Sequence, residues 1–288
     1  MRELRLVLLG LAALLALSLG GTFLMRAFTG PPTAHRAVEP APSTQVANPT
    51  DQASSPDATS AANLSTAVRE VRASVERSIA DAPDYTRFFD RLKLVFPSEY
   101  ESIMNGIANA NLQRRDVSSD IVMSDAVAAL RRARGSLAAR ASEDALAQIF
   151  TIQRQEVGEL EARDPHLCVA FLYGANGTGF LSFAAEHRAL VTDAAIASLD
   201  AMNSGRMDNV QRGPPSDADF QVLDQALVDK GLARPEIDSL LDGKTASPPI
   251  ADDRMCKAGG IYLDTLSGLP SDIRARLYGL AVDLMAKS

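Results

Sequence analysis

The sequence contains few of the residues that build metal centres and reactive sites. Its 288 residues include two cysteines and three histidines, and neither a CxxC nor an HxxxH spacing occurs. His166, Cys168, His187 and Cys256 are of types that bind zinc or copper, but residues two apart point to different sides of a helix. Nothing in the sequence resembles a nucleophile turn or an oxyanion hole. We therefore predict no metal site, no cofactor and no catalytic residue.

Charged residues are absent from the twenty apolar and small residues that run from Leu6 to Met25. A helix of this length measures about 30 Å, which matches the hydrocarbon core of a bilayer. No cysteine lies near it, which excludes lipid attachment at a processed N-terminal cysteine. Arg2 and Arg5 precede the run and Arg26 follows it, a modest positive-inside bias. We predict that residues 1–28 are a single-pass anchor that contacts the bacterial inner membrane through residues 6–25, with the N-terminus cytoplasmic and the body periplasmic.

A cleaved signal peptide is the alternative, with Ala16-Leu17-Ser18 as the processing site and a secreted helical domain as the product. The apolar run continues past that site to Phe23, Leu24 and Met25, which favours an uncleaved anchor. Residues 29–62 are rich in Pro, Ala, Ser and Thr and have too few large apolar residues to offset their ordering entropy. We predict that they form a disordered tether.

Lysine is scarce, with five residues against 24 arginines, and alanine is abundant, a bias typical of GC-rich bacterial genomes. Residues 1–62 carry four basic and four acidic side chains, so the net charge of −7 belongs to residues 63–288. Phosphate backbones repel a body this acidic, which argues against nucleic-acid binding.

Strand-like alternation is absent over any convincing length, whereas Leu64, Val68, Val71, Val75 and Ile79 recur at the spacing of an amphipathic helix. Further helices are predicted at Asp84–Phe96, from Ser98, at Ser119–Ala139, from Ser142, at Pro165–Tyr173, at Leu181–Met202, from Ser216, at Pro235–Leu241, around Cys256–Leu266 and from Ser271. Asp84, the pair Ser98 and Glu101, and the pair Ser216 and Asp219 are predicted N-terminal caps. We predict an all-α fold in which residues 63–288 form a globular bundle of about nine to ten helices.

The segment Tyr173–Gly179 is rich in glycine and superficially resembles a phosphate-binding loop. It has no lysine, as a Walker loop requires, and no strand precedes it, as a Rossmann loop requires. We predict a helix C-cap and a tight turn.

Cys168 and Cys256 both lie in apolar helical surroundings. Outside the cytoplasm such a pair persists as a disulfide, whereas two unrelated buried thiols are the alternative. We predict a disulfide that closes a loop of about 88 residues, for which the chain-entropy model gives roughly 4–5 kcal/mol.

Glu101-Ser102 resembles the Glu-Ser pair of lytic transglycosylases, helical enzymes of the bacterial envelope. The resemblance implies that Glu101 would protonate a glycosidic oxygen, which requires a raised pKa. The Gly/Leu/Met/Gln stretch expected downstream is absent, and Ile103-Met104-Asn105-Gly106 stands in its place.

The sequence therefore names no reaction. A basic cluster of Arg114, Arg115, Arg131, Arg132, Arg134 and Arg140 fits a solvated helix face paired with acidic side chains, and the alternative is a contact with lipid headgroups or an acidic partner. We predict a membrane-anchored, periplasm-facing, non-enzymatic interaction or scaffold protein with a possible envelope protein partner. The alternative is a cell-wall glycan hydrolase.

Overall fold

The computed structural model describes residues 56–113, 117–174 and 178–287, and every regular element within them is helical. These ranges contain twelve α-helices and one 3₁₀ helix, Gly135–Arg140. The α-helices are, in chain order, α1 Pro56–Ala80, α2 Pro83–Val95, α3 Pro97–Ala110, α4 Ser119–Arg134, α5 Glu143–Arg163, α6 Pro165–Leu172, α7 Thr178–Glu186, α8 Arg188–Met207, α9 Asp217–Asp229, α10 Arg234–Asp242, α11 Asp252–Gly268 and α12 Ser271–Lys287. The all-α prediction is confirmed.

The predicted anchor and most of the predicted tether lie outside the described residues. Helix α1 begins at Pro56, inside the range that we assigned to the tether. None of the helices in the described ranges combines the length and the apolar character that crossing a membrane requires.

Two helix starts follow from local sequence as predicted, and one helix end has a simple local cause. The Ser142 side chain accepts a hydrogen bond from the Ala145 N–H and caps α5. Ser216 and Asp219 form a capping box at the start of α9. After that helix, Gly231 has a φ of 87°, in the left-handed region that a residue without a Cβ adopts at little cost.

Two predicted caps are wrong because a proline occupies the first helical position. Asp84 lies inside the first turn of α2, which Pro83 opens after the N-cap residue Ala82. Ser98 follows Pro97 into α3 in the same way, and the N-cap residue is Phe96.

The described residues contain twelve α-helices, more than the nine to ten predicted. The segments predicted one by one from the sequence already number eleven, and the single helix expected at Leu181–Met202 is two helices. The break falls at His187, whose backbone has a φ of −118° and a ψ of 40°. Its ring stacks on Phe183 with centroids 4.4 Å apart. The helix expected to run to Ala139 also changes form, since α4 ends at Arg134 and continues as the 3₁₀ helix.

The 3₁₀ helix lies at the centre of the bundle, where it packs against α8 and α12. Around it, α5 packs against α8 and α11, and α2 packs against α8. Two ion pairs tie α2 to α8, Arg87 with Asp193 and Arg91 with Asp200, each at 2.7 Å. One hydrophobic core results, and its buried residues run from Val75 to Met285.

Candidate functional site: two clefts beside residues 243–251

Residues 243–251 connect α10 to α11, and we call them the connecting segment. Two clefts adjoin this segment. Gly243 ends α10 with a φ of 63°, in the left-handed region. The Ser239 hydroxyl donates a hydrogen bond of 2.7 Å to the Lys244 carbonyl and ties the start of the segment to α10. The segment then continues without regular structure to Asp252, where α11 begins.

On one side of the segment lies the larger cleft, of about 360 Å³. The end of α6 contributes Val169 and Tyr173, and α11 contributes Asp252 and Met255. The remaining lining residues come from α10 and the segment itself, namely Ser239, Gly243, Lys244, Thr245, Ala246, Pro249 and Ile250. The lining of this cleft is therefore a mixture of apolar side chains, hydroxyl groups and two charged side chains.

A smaller cleft of about 330 Å³ also touches the segment. Glu236 of α10 and Arg254 of α11 line it, together with Ala233, Pro235, Ser247, Pro248, Pro249, Ile250 and Ala251. Pro249 and Ile250 line both clefts, so the connecting segment forms a ridge between them.

The main chain of the ridge is available for hydrogen bonding. Within the described part of the chain, the backbone groups of residues 245–250 form no hydrogen bond with other main-chain or side-chain groups. Residues 248 and 249 are prolines and have no N–H, but residues 245–247 and 250 do. An extended peptide laid along the ridge can pair with these groups, as a strand does when it adds to the edge of a sheet.

Charged side chains around the clefts are compensated by neighbours. Lys244 pairs with Asp242 at 2.5 Å. Asp252 Oδ2 lies 2.8 Å from His166 Nδ1. Arg254 pairs with Glu236 in the smaller cleft. Because neither cleft presents a cluster of one sign, the site does not favour a multiply charged ligand such as a phosphate.

Cys168 and Cys256 lie at disulfide distance beneath the larger cleft. Both are fully buried, and their Cα atoms are 5.7 Å apart, within the range that a disulfide requires. Their chain neighbours Val169 and Met255 line the cleft. The structure therefore places the two cysteines together as predicted, at the crossing of α6 and α11 that forms the floor of the cleft. The oxidation of the pair stays a prediction.

The remaining metal-type side chains do not join the cysteines. His166 contacts Asp252, and His187 stacks on Phe183. No group of three or more His, Cys, Asp or Glu side chains in the described ranges could hold a metal ion.

Glu101 pairs with Arg72 on the surface. The Arg72 guanidinium donates hydrogen bonds of 2.7 and 3.1 Å to the two carboxylate oxygens. These bonds lower the pKa of Glu101, whereas a glycosidase acid needs a raised pKa. The surroundings of Glu101 therefore supply no argument for the hydrolase alternative.

The basic cluster is divided among different environments. Arg134 pairs with Glu99, and Arg140 donates a hydrogen bond of 3.1 Å to Asn209. Arg131 is half-buried and lines an apolar pocket of about 50 Å³, and burial lowers its pKa. Arg114 and Arg115 lie outside the described residues, as do residues 175–177 of the glycine-rich segment.

The helices predicted at Pro235–Leu241 and around Cys256–Leu266 leave a connection between them, but the sequence does not indicate its role. The larger cleft combines Tyr173 with residues 66 or more positions later in the chain, and no local motif connects such residues. The cysteine pair was the one available signal, because it joins the helices that carry Val169 and Met255.

No protein-family model matches the chain, and no curated protein and no solved structure is similar to it at a significant level.

Proposed function

We propose that the chain is a single-pass, periplasm-facing protein of the bacterial envelope whose helical body binds an extended segment of a partner protein. The observation that carries the proposal is the ridge at residues 245–250, with main-chain groups lacking partners in the described structure and a cleft on each side. The main chain supplies affinity for any extended peptide, and the clefts supply side-chain selection.

The chemistry of the clefts indicates the class of peptide. Tyr173 is 40 % exposed and offers an aromatic face to the larger cleft. Lys244, Asp252 and Arg254 are all paired, so strongly charged residues gain little there. We expect a segment of small apolar and hydroxyl-bearing residues in extended conformation.

Peptide display against the full-length protein in detergent tests the proposal. Peptides recovered from a random library are measured by fluorescence anisotropy against Ala246→Pro, which removes one main-chain donor, and against Ala246→Ser, which keeps it. We expect Ala246→Pro to weaken binding about tenfold, the effect of losing roughly one net hydrogen bond. Ala246→Ser should leave binding unchanged.

Two further variants separate the site from the rest of the surface. Tyr173→Ala should weaken binding, whereas Val222→Ala, at a similarly exposed position on α9, should not. A library that yields no peptide, or peptides that bind Ala246→Pro and Tyr173→Ala as well as the unchanged protein, would contradict the proposal.

A further inference from the structure

Glu156 is a buried carboxyl group in the middle of α5. Its side chain is 1 % exposed, and its Oε1 atom has no hydrogen-bond partner in the described structure. Thr192 of α8 is fully buried, and its hydroxyl also lacks a partner there. Native structures leave few buried polar atoms unsatisfied, so such groups require an explanation.

Two contacts show that α5 and α8 run antiparallel and fix their register. At the start of α5, the Ser142 N–H donates a hydrogen bond of 2.8 Å to the Ser204 hydroxyl, near the end of α8. At the end of α5, Arg163 pairs with Glu186, just before α8 begins. Between these points, position 156 lies level with the turn of α8 that contains Thr192.

The helical period places Glu156 on the face of α5 toward α7 and α8. Ile149 and Arg163 each lie seven residues from Glu156, two turns along the same face. Ile149 lines the apolar pocket beside Arg131 together with Ala195 of α8, and Arg163 pairs with Glu186 of α7. Glu156 therefore lies on the side of α5 that α8 covers.

Six pairs of ionisable groups lie on α5 and on the elements around it, whereas Asp253 and Lys257 of α11 are exposed. The pairs are Arg188 with Asp120, Asp193 with Arg87, Glu186 with Arg163, His166 with Asp252, Asp264 with Arg154 and Arg274 with Glu143. Of the buried phenols, Tyr278 of α12 stacks on Phe150 of α5, and Tyr262 of α11 lies near Tyr278. Burial alone raises the pKa of Glu156 to about 8.

We propose that Glu156 is a proton-controlled lock between α5 and α8. The neutral carboxyl group keeps the interface closed, and loss of its proton opens it. The neutral form carries no charge, so it costs less in a buried site than the carboxylate does. The carboxylate form places an unpaired charge in the interior, which is stable only when the interface opens to water. The lock is independent of the proposed peptide site.

The sign of the pH dependence follows from the two pKa values. The pKa is about 8 in the closed form against a reference value of 4.5, so closure binds a proton between these limits. The neutral carboxyl group stabilises the closed form fully when the pH is below the reference pKa. This stabilisation is lost as the pH rises toward the pKa of the closed form. The opening constant should therefore rise about tenfold per pH unit between about pH 5 and pH 8.

Hydrogen exchange of α8 amides in the full-length protein at pH 5.5 and pH 7.5 tests the lock, after correction for intrinsic exchange. We expect the opening constant of the unchanged protein to rise about a hundredfold over these two pH units. Glu156→Gln should abolish the rise, and Glu159→Gln, an exposed position on the same helix, should preserve it. A rise in Glu156→Gln equal to that of the unchanged protein would overturn the proposal.

Infrared spectroscopy of the unchanged protein keeps the test decisive if Glu156→Gln does not fold. The band of a protonated carboxyl group should persist at pH 7 and disappear as the pH passes 8. A spectrum without that band at pH 7 would overturn the proposal.

Discussion

Gly205 of α8 crosses Leu137 of the 3₁₀ helix so closely that no side-chain carbon fits between them. A Cβ atom at position 205 would lie 2.7 Å from the Leu137 carbonyl carbon and closer still to the carbonyl oxygen. Because the obstacle is backbone, it cannot rotate away as a flexible side chain does. The centre of the bundle therefore depends on the absence of a side chain at one position.

Gly205→Ala should lower the free energy of unfolding by about 2–3 kcal/mol or more, since overpacking against backbone forces helices apart. Gly106→Ala is the matched control, because nothing lies within 4 Å of its would-be Cβ. In a helix interior that control should be neutral or stabilising by about 0.5–1 kcal/mol. Urea unfolding of the three proteins distinguishes these outcomes, and equal effects of the two substitutions would contradict the role assigned to Gly205.

Oxidation of Cys168 and Cys256 has a direct chemical test. The protein purified without reductant should show no free thiol by mass after alkylation under denaturing conditions. Cys168→Ser should unfold at a lower urea concentration than the unchanged protein. The chain-entropy model limits the loss in the free energy of unfolding to about 4–5 kcal/mol. The double variant with both cysteines replaced by serine should be insensitive to reductant. Two alkylated thiols in protein taken from the periplasm would show that the pair is reduced.

We expect the protein to lose stability in acid because of the ionised carboxylate of Asp219. Its carboxylate receives hydrogen bonds of 2.7 and 2.9 Å from Arg276, which lower its pKa well below the usual range, with help from Ser216. A depressed folded-state pKa stabilises the protein above the ordinary value of about 4, and this stabilisation is lost as pH falls below it. Asp219→Asn should cost about 1–3 kcal/mol at pH 6 and about 1 kcal/mol less at pH 3.

The control for that prediction is Asp272→Asn. Asp272 also contacts Arg276, at 3.2 Å, but its side chain is 68 % exposed. An exposed pair of this spacing contributes about 0.3–0.5 kcal/mol. Urea titrations at both pH values should therefore separate the two variants, and similar losses at pH 6 would refute the special role of Asp219.

The anchor prediction concerns residues outside the described structure and is tested by fusion. An alkaline phosphatase domain joined after Ala62 should be active and remain in the membrane fraction. Activity in the soluble periplasmic fraction would indicate signal cleavage near Ser18. An inactive fusion would show that the orientation is the reverse of the predicted one.

Local physical rules were sufficient to predict most helices. The stripe of Val68, Val71, Val75 and Ile79 and the capping residues Ser142 and Ser216 each depend on neighbours within a few positions. The break at His187 did not follow from these rules, because apolar residues continue on both sides of it. Its stacking on Phe183 becomes visible only in three dimensions.

The sites depend on contacts that no periodicity encodes. Tyr173, Ser239 and Asp252 come from different helices, and their shared cleft follows from the way α10 and α11 pack. Glu156 is adjacent to the apolar residue Val157 but is itself polar, so its burial could not be predicted from hydrophobicity. The cysteine pair was predictable because two cysteines have one possible intramolecular partner each.

The ion pair between Arg87 and Asp193 has a consequence for how the chain is made. The two residues are 106 positions apart, so α2 emerges from the ribosome long before the helix that covers it. At a synthesis rate of about 5–20 residues per second, the wait is roughly 5–20 s. During this interval Phe88 and Leu92, both fully buried in the finished bundle, remain open to water and to other chains. Until α8 has been made, newly made α2 therefore exposes apolar side chains to which other chains can bind.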